Sequence, residues 1–134
     1  MQIINSIFII LFVATVFIAC ENESMNIVDE PEFIVVAGYT YGKYNGEWYT
    51  AFQGEKGDRI ILDRLVVQPK PGIDMYNYNY QAAGVPTLPI VTEILDRFYV
   101  LDMSGLEDPF DVAIKLWDTG EFESIQFDAY GTRL

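Results

Sequence analysis

Asn45-Gly46, set between two runs of alternating apolar and polar residues, narrows the fold more than any other feature of the chain. A two-residue type I′ turn needs positive φ at both positions, and Asn-Gly is the pair best suited to it. The dipeptide predicts an antiparallel hairpin of residues 33–44 with residues 47–53. A loop of two residues also fixes the register. Tyr44 then faces Glu47, Lys43 faces Trp48, Gly42 faces Tyr49, Tyr41 faces Thr50 and Tyr39 faces Phe52. One face is expected to carry Phe33, Val35, Ala37, Tyr39, Tyr41, Trp48 and Phe52 as a continuous apolar stripe at the two-residue period of a strand. Tyr49 opposite Gly42 fits the covering of a strand glycine by a cross-strand aromatic ring.

The rest of the chain after Pro31 also reads as β. Arg59–Gln68 is a strand with Ile61, Leu65 and Val67 on one face, stopped by Pro69-Lys70-Pro71-Gly72. Asp74–Tyr80 alternates Tyr76, Tyr78 and Tyr80 against Asn77 and Asn79. Residues 89–98 have two readings. Ile90, Val91, Ile94, Leu95 and Phe98 fit a helical stripe, whereas Leu88–Ile94 and Arg97–Asp102 fit two strands joined at Leu95-Asp96; the crowd of β-branched residues favours strands. Phe110–Trp117 is the plainest alternation, with Phe110, Val112, Ile114 and Leu116 against Asp111, Ala113, Lys115 and Trp117. Asp118-Thr119-Gly120 turns the chain, and Glu121–Asp128 returns with Ile125 and Phe127 inward. No internal repeat stands out. About seven or eight short strands, with turns at short intervals, predict an all-β fold. An antiparallel β-sandwich of immunoglobulin-like topology comes first and a small barrel second.

The N-terminus has a different character. Ile7–Ala19 is thirteen residues long and uncharged, which suits the apolar region of an export signal and is short for a membrane-spanning helix. The run Phe17-Ile18-Ala19-Cys20 resembles the lipobox of bacterial lipoprotein precursors. That resemblance implies removal of residues 1–19, lipidation of Cys20 and an anchor in the cell envelope. The other reading of the segment is an uncleaved N-terminal anchor helix. Cys20 is the sole cysteine, so no internal disulfide forms, and a lipid thioether would remove a free thiol from an oxidising compartment. Several acyl chains, at about 0.8 kcal/mol per buried CH₂, make a firm anchor. Residues 20–32, acidic and without an apolar period, read as the lipidated Cys and a tether, and residues 33–134 as a single β domain. Glu21 is not the Asp that retains such lipoproteins at the inner membrane in enteric bacteria, so the outer membrane is mildly preferred.

Eight basic against twenty acidic side chains give a net charge of −12, all of it after Ala19. Nucleic acid is excluded as a partner, because its binding needs Lys and Arg to displace counterions. The absence of histidine excludes His-based triads and nearly all catalytic zinc sites, and Gly54-Glu55-Lys56-Gly57 lacks the length and the hydroxyl of a phosphate loop. A hydrolase working with carboxylates alone remains the enzymatic alternative. Asp102, Glu107, Asp108 and Asp111 lie in or beside one loop and are the candidate ligands for calcium, although a solvated loop is the favoured reading.

Nine Tyr and two Trp make aromatic side chains the candidate binding groups, since they stack on sugars and dominate protein interfaces. Tyr76, Tyr78 and Tyr80 form the expected row, and Trp117 falls on the polar face of its strand. The same residues could pack on the core. The function expected is a non-enzymatic, lipid-anchored domain that binds at the envelope. A protein partner with a basic surface is favoured, one version being an inhibitor or immunity-type lipoprotein that masks a cationic toxin. The alternative is a carbohydrate-binding accessory lipoprotein using the four aromatics.

Overall fold

Three two-residue turns, spaced eight residues apart, lay out the first half of the domain. In the computed structural model, which describes residues 32–131, Ala37-Gly38, Asn45-Gly46 and Gln53-Gly54 all hold positive φ at both positions. They join β1 (Glu32–Val36), β2 (Tyr39–Tyr44), β3 (Glu47–Phe52) and β4 (Glu55–Pro69) into an antiparallel meander. The expected β2–β3 register is present from Thr40↔Ala51 to Tyr44↔Glu47, one step short of Tyr39 and Phe52. The spacing of the three turns is a local repeat that the sequence reading passed over.

The expected apolar stripe breaks at Ala37-Gly38. Residues 33–44 are two strands, not one, and the turn reverses which parity faces inward. Ile34, Val36 and Tyr41 share the inner face, while Phe33 and Val35 point outward beside Gly42 and Thr40. Ala37 gave no warning, because alanine seldom adopts positive φ and the Ala-Gly pair is a weak turn signal.

Fifteen-residue β4 belongs to both halves of the molecule. Its first part pairs with β3. Further along, Arg64–Val67 pair with β6 (Phe98–Asp102) on one side, and positions from Ile60 to Pro69 pair with β7 (Phe122–Ala129) on the other. β5 (Ile90–Ile94) closes a second hairpin on β6. The β reading of residues 89–98 thus holds, with Leu95-Asp96 as the turn, both at positive φ. The domain is all-β, antiparallel and sandwich-like, with seven strands among the described residues. Its connectivity departs from the immunoglobulin-like expectation: an immunoglobulin sandwich divides its strands between two sheets, whereas β4 here runs through both halves.

Two segments read as strands are helical. Residues 109–118 form helix α2 (Pro109–Asp118), preceded by the short α1 (Tyr80–Ala83). Asp108 caps α2 by accepting from the Asp111 N–H at 3.1 Å, Pro109 occupies the first turn, and Asp111 pairs with Lys115 at 3.0 Å one turn on. Phe110, Val112, Ala113 and Leu116 are buried and only Asp111, Lys115 and Asp118 are exposed. Those three charges recur at helical spacing and are the signal that the apolar alternation concealed. Residues 75–77 form a 3₁₀ turn capped by Asp74, and Asn79 caps α1 by accepting from the Ala82 N–H. Of the polar residues that looked like the solvent face of this strand, Asn79 is a capping group and Asn77 donates its side-chain N–H to the capping Asp74.

The meander, β7 and α2 meet in an aromatic core. Phe110 from α2 lies 4.6 Å from Trp48, 4.9 Å from Phe127 and 5.9 Å from Tyr41, ring centre to ring centre. Tyr41 is 1% exposed, and its hydroxyl accepts a hydrogen bond from the Phe127 N–H at 3.1 Å. Burial pushes the Tyr41 phenol up to about 12 despite that bond. No helix among the described residues is long and apolar enough to cross a membrane.

Candidate functional site

The tyrosines expected as a row do not form one. Because their backbone turns through a 3₁₀ segment into α1, the three rings leave it in different directions. Tyr76 is 64% exposed, and its hydroxyl donates to Glu93 on β5, which pushes the phenol up to about 12. Tyr78 is half-buried against Phe122, with its hydroxyl donating to Glu121 at 3.0 Å. Tyr80 is 6% exposed and belongs to the core. The Tyr78 and Tyr80 rings meet edge to face at 76°, so they present no flat platform. Trp117 packs against the core from α2, and its expected place on the polar face of a strand is corrected with the helix. Stacking on a sugar through Tyr76, Tyr78, Tyr80 and Trp117 together has no geometric basis.

The acidic loop residues are likewise committed separately. Asp102 accepts from the Ser104 N–H, and hydrogen bonds from Ser104 hold its carboxyl below the usual range. Asp108 caps α2, Asp111 pairs with Lys115, and Glu107 is exposed. Among the described residues no three His, Cys, Asp or Glu side chains are placed to hold a metal ion. Asp74 is also held low, first by Asn77 and then by the Tyr76 N–H. A general acid needs its carboxyl raised toward neutrality, and these two move the other way. Cys20, residues 1–19 and the tether up to Pro31 lie outside the described residues.

A different aromatic group emerges on the outer face of the meander. Phe33 on β1, Tyr44 on β2 and Tyr49 on β3 form a ladder across three strands, with ring centres 6.2 and 5.8 Å apart and edge-to-face geometry. Gly42 makes it possible. A Cβ there would come within 2.7 Å of Tyr44 and 3.0 Å of Phe33, so the two rings lie over bare backbone. The cover of Gly42 comes from these rings, although Tyr49 is its cross-strand partner as expected. The Lys56 ammonium sits 4.7 Å from the Tyr49 ring centre. Phe33 is 49% and Val35 61% exposed, and the ladder lies outside the core cluster. The sequence reading missed this group because it placed Phe33 and Val35 on the inner face. The period-eight Gly38, Gly46 and Gly54 would have located the turn that exposes them.

Charge is unevenly spread along the chain. Residues 32–60 carry three basic side chains against four acidic, and residues 61–131 carry four basic against twelve acidic. Two of those four, Arg64 and Lys115, lie beside Asp128 and Asp111. No carboxylate among the described residues is buried. Two surface grooves border the sheets. One, of 580 Å³, is lined by Lys70, Asp96, Arg97, Tyr99 and Glu123; the other, of 390 Å³, is lined by Trp48, Arg59, Asp63 and Tyr130. Comparison with known proteins finds no matching family model, no matching curated protein and no matching solved structure.

Proposed function

We propose that the chain is a non-enzymatic binding domain, lipid-anchored through Cys20 at the cell envelope, that takes a protein partner with a basic surface on its acidic side. The observation that carries this reading is the segregation of charge: twelve acidic side chains against four basic over residues 61–131. Glu107, Asp118 and Glu123 among them are exposed and stand outside the hydrogen bonds and ion pairs described above, so they are free to complement another surface and to steer its approach. The anchor rests on the lipobox resemblance at Phe17-Ile18-Ala19-Cys20. An inhibitor of a cationic protein is the version that best fits the size and charge.

The test uses the full chain in its envelope, with a photo-crosslinker in place of Glu107 or Glu123. A protein adduct is expected that fades as salt shortens the screening length from about 10 Å toward 3 Å. With the crosslinker at position 107, the double variant Asp118→Lys, Glu123→Lys should lose it. Capture that ignores both salt and charge reversal would overturn the charge-based reading. Cys20→Ser tests the anchor separately, since it should abolish fatty-acid labelling and signal removal.

A further inference from the structure

The aromatic ladder stands where the chain joins the sheet. Glu32, the first residue of β1, pairs with Lys43, two positions from the Asn45-Gly46 turn. Phe33 pairs with Gly42, and Gly42 with Tyr49, so the ladder occupies this end of the outer face. Eleven residues separate Cys20 from Glu32. Fully extended they reach at most about 40 Å. A domain of this size has a radius of gyration of about 13 Å. An anchor at Cys20 therefore lets the β1 end of the domain reach the head groups, and it is at this end that the tether joins the sheet.

Charge selects the side that can approach. The part spanning residues 61–131, with its large acidic excess, is repelled by an anionic surface, whereas the meander is nearly balanced. Tyrosine rings favour the head-group level, where the ring is apolar and the hydroxyl stays wet. Lys56 leans over Tyr49 and can extend its ammonium toward lipid phosphate while its stem covers the ring.

We propose that the outer face of β1–β3, formed by Phe33, Val35, Tyr44, Tyr49 and Lys56, beds in the head-group layer of the anchoring membrane and turns the acidic side outward to its partner. This orientation rests on the Cys20 anchor of the preceding section, and its partner is the lipid surface itself.

The test uses the full chain processed in a bacterial host and reconstituted into vesicles of phosphatidylethanolamine and phosphatidylglycerol. An environment-sensitive dye is placed at Val35→Cys or, as control, at Glu107→Cys. With brominated lipids, the dye at position 35 should be quenched several-fold more than the dye at position 107 and should emit further to the blue. Adding Phe33→Ser and Tyr49→Ser should remove that difference while the chain still sediments with vesicles. A chain that sediments while the dye at position 35 behaves as in water overturns the orientation and leaves the anchor standing. A dye sheltered from water but unquenched by bromolipid means that protein covers the face, which also overturns it. A chain that does not sediment overturns anchor and orientation together.

Discussion

Tyr41 and Tyr44 are three residues apart on β2 and meet opposite surroundings. Tyr41 points inward, closes against Phe110 and Phe127, and ties the Phe127 N–H of β7 to its hydroxyl. Tyr44 points outward over Gly42, between Phe33 and Tyr49, and lies outside the core cluster. Both faces of the meander are aromatic, so composition does not distinguish them. What distinguishes them is the arrival of α2 and β7 on one side only. The inner face supplies the cohesion of the fold, and the rings of the outer face lie outside the core cluster. The contrast predicts that similar substitutions on the two faces will differ several-fold in their effect on stability.

Phe110→Ala should have the largest effect, about 3–5 kcal/mol, because it opens a cavity where Tyr41, Trp48 and Phe127 converge. Chemical denaturation measures it. A loss below about 1 kcal/mol would mean that α2 does not close the inner face, and the two faces would become equivalent. Tyr41→Phe should cost about 1–3 kcal/mol, since it leaves the buried Phe127 N–H without its acceptor. Gly46→Val should cost roughly 1 kcal/mol or more, because Gly46 holds φ at +82°, which a β-branched residue resists. That loss belongs to the turn and should appear whichever face is then mutated.

How much of this the sequence announced depended on whether a residue's local chemistry pointed one way. Asn45-Gly46 left a single reading, and the β2–β3 register followed from it. Leu95-Asp96 was legible because the β-branched residues crowding residues 89–98 favoured two strands over a helix, with the join between them. Ala37-Gly38 was not, because alanine at positive φ is held there by the pairing of β1 on β2 rather than by preference. In α2 most residues are apolar, so strand and helix periods both fit. Asp108-Pro109 and the spacing of Asp111 and Lys115 decided the matter in the structure. The Tyr76, Tyr78 and Tyr80 alternation misled because Asp74 and Asn79 spend their side chains on backbone N–H groups, which bends the segment out of extension. The candidate surface on Phe33, Tyr44 and Tyr49 failed with the same turn: one missed reversal put half of it on the wrong face.

On the outer face, Phe33→Ala removes a ring that borders Tyr44 and covers Gly42. Exposed cross-strand aromatic pairs contribute about 0.2–1 kcal/mol, and the loss should fall in that range by the same denaturation measurement. A cost near that of Phe110→Ala would show the ladder to be a second core. It would also remove the premise that this face is kept for contact.

The smallest expected effect separates burial from hydrogen bonding. Tyr80 is nearly as buried as Tyr41, and burial likewise pushes its phenol up to about 12, yet its hydroxyl finds no hydrogen-bond partner among the described residues. Tyr80→Phe removes a polar atom that folding desolvates without compensation, so stability should stay within about 0.5 kcal/mol or rise. The alkaline limb gives an independent check. A phenol whose pKa is higher in the folded chain stabilises the fold fully below its unfolded value of about 10. That contribution is lost as pH climbs through the folded value of about 12. The parent chain should therefore lose stability steeply across that window, and Tyr80→Phe should flatten the loss without lowering stability at neutral pH. Tyr41→Phe should flatten it too, but from a lower starting point, because it sacrifices the bond to Phe127. Equal costs for the two substitutions at neutral pH would mean that the Tyr80 hydroxyl has a partner after all.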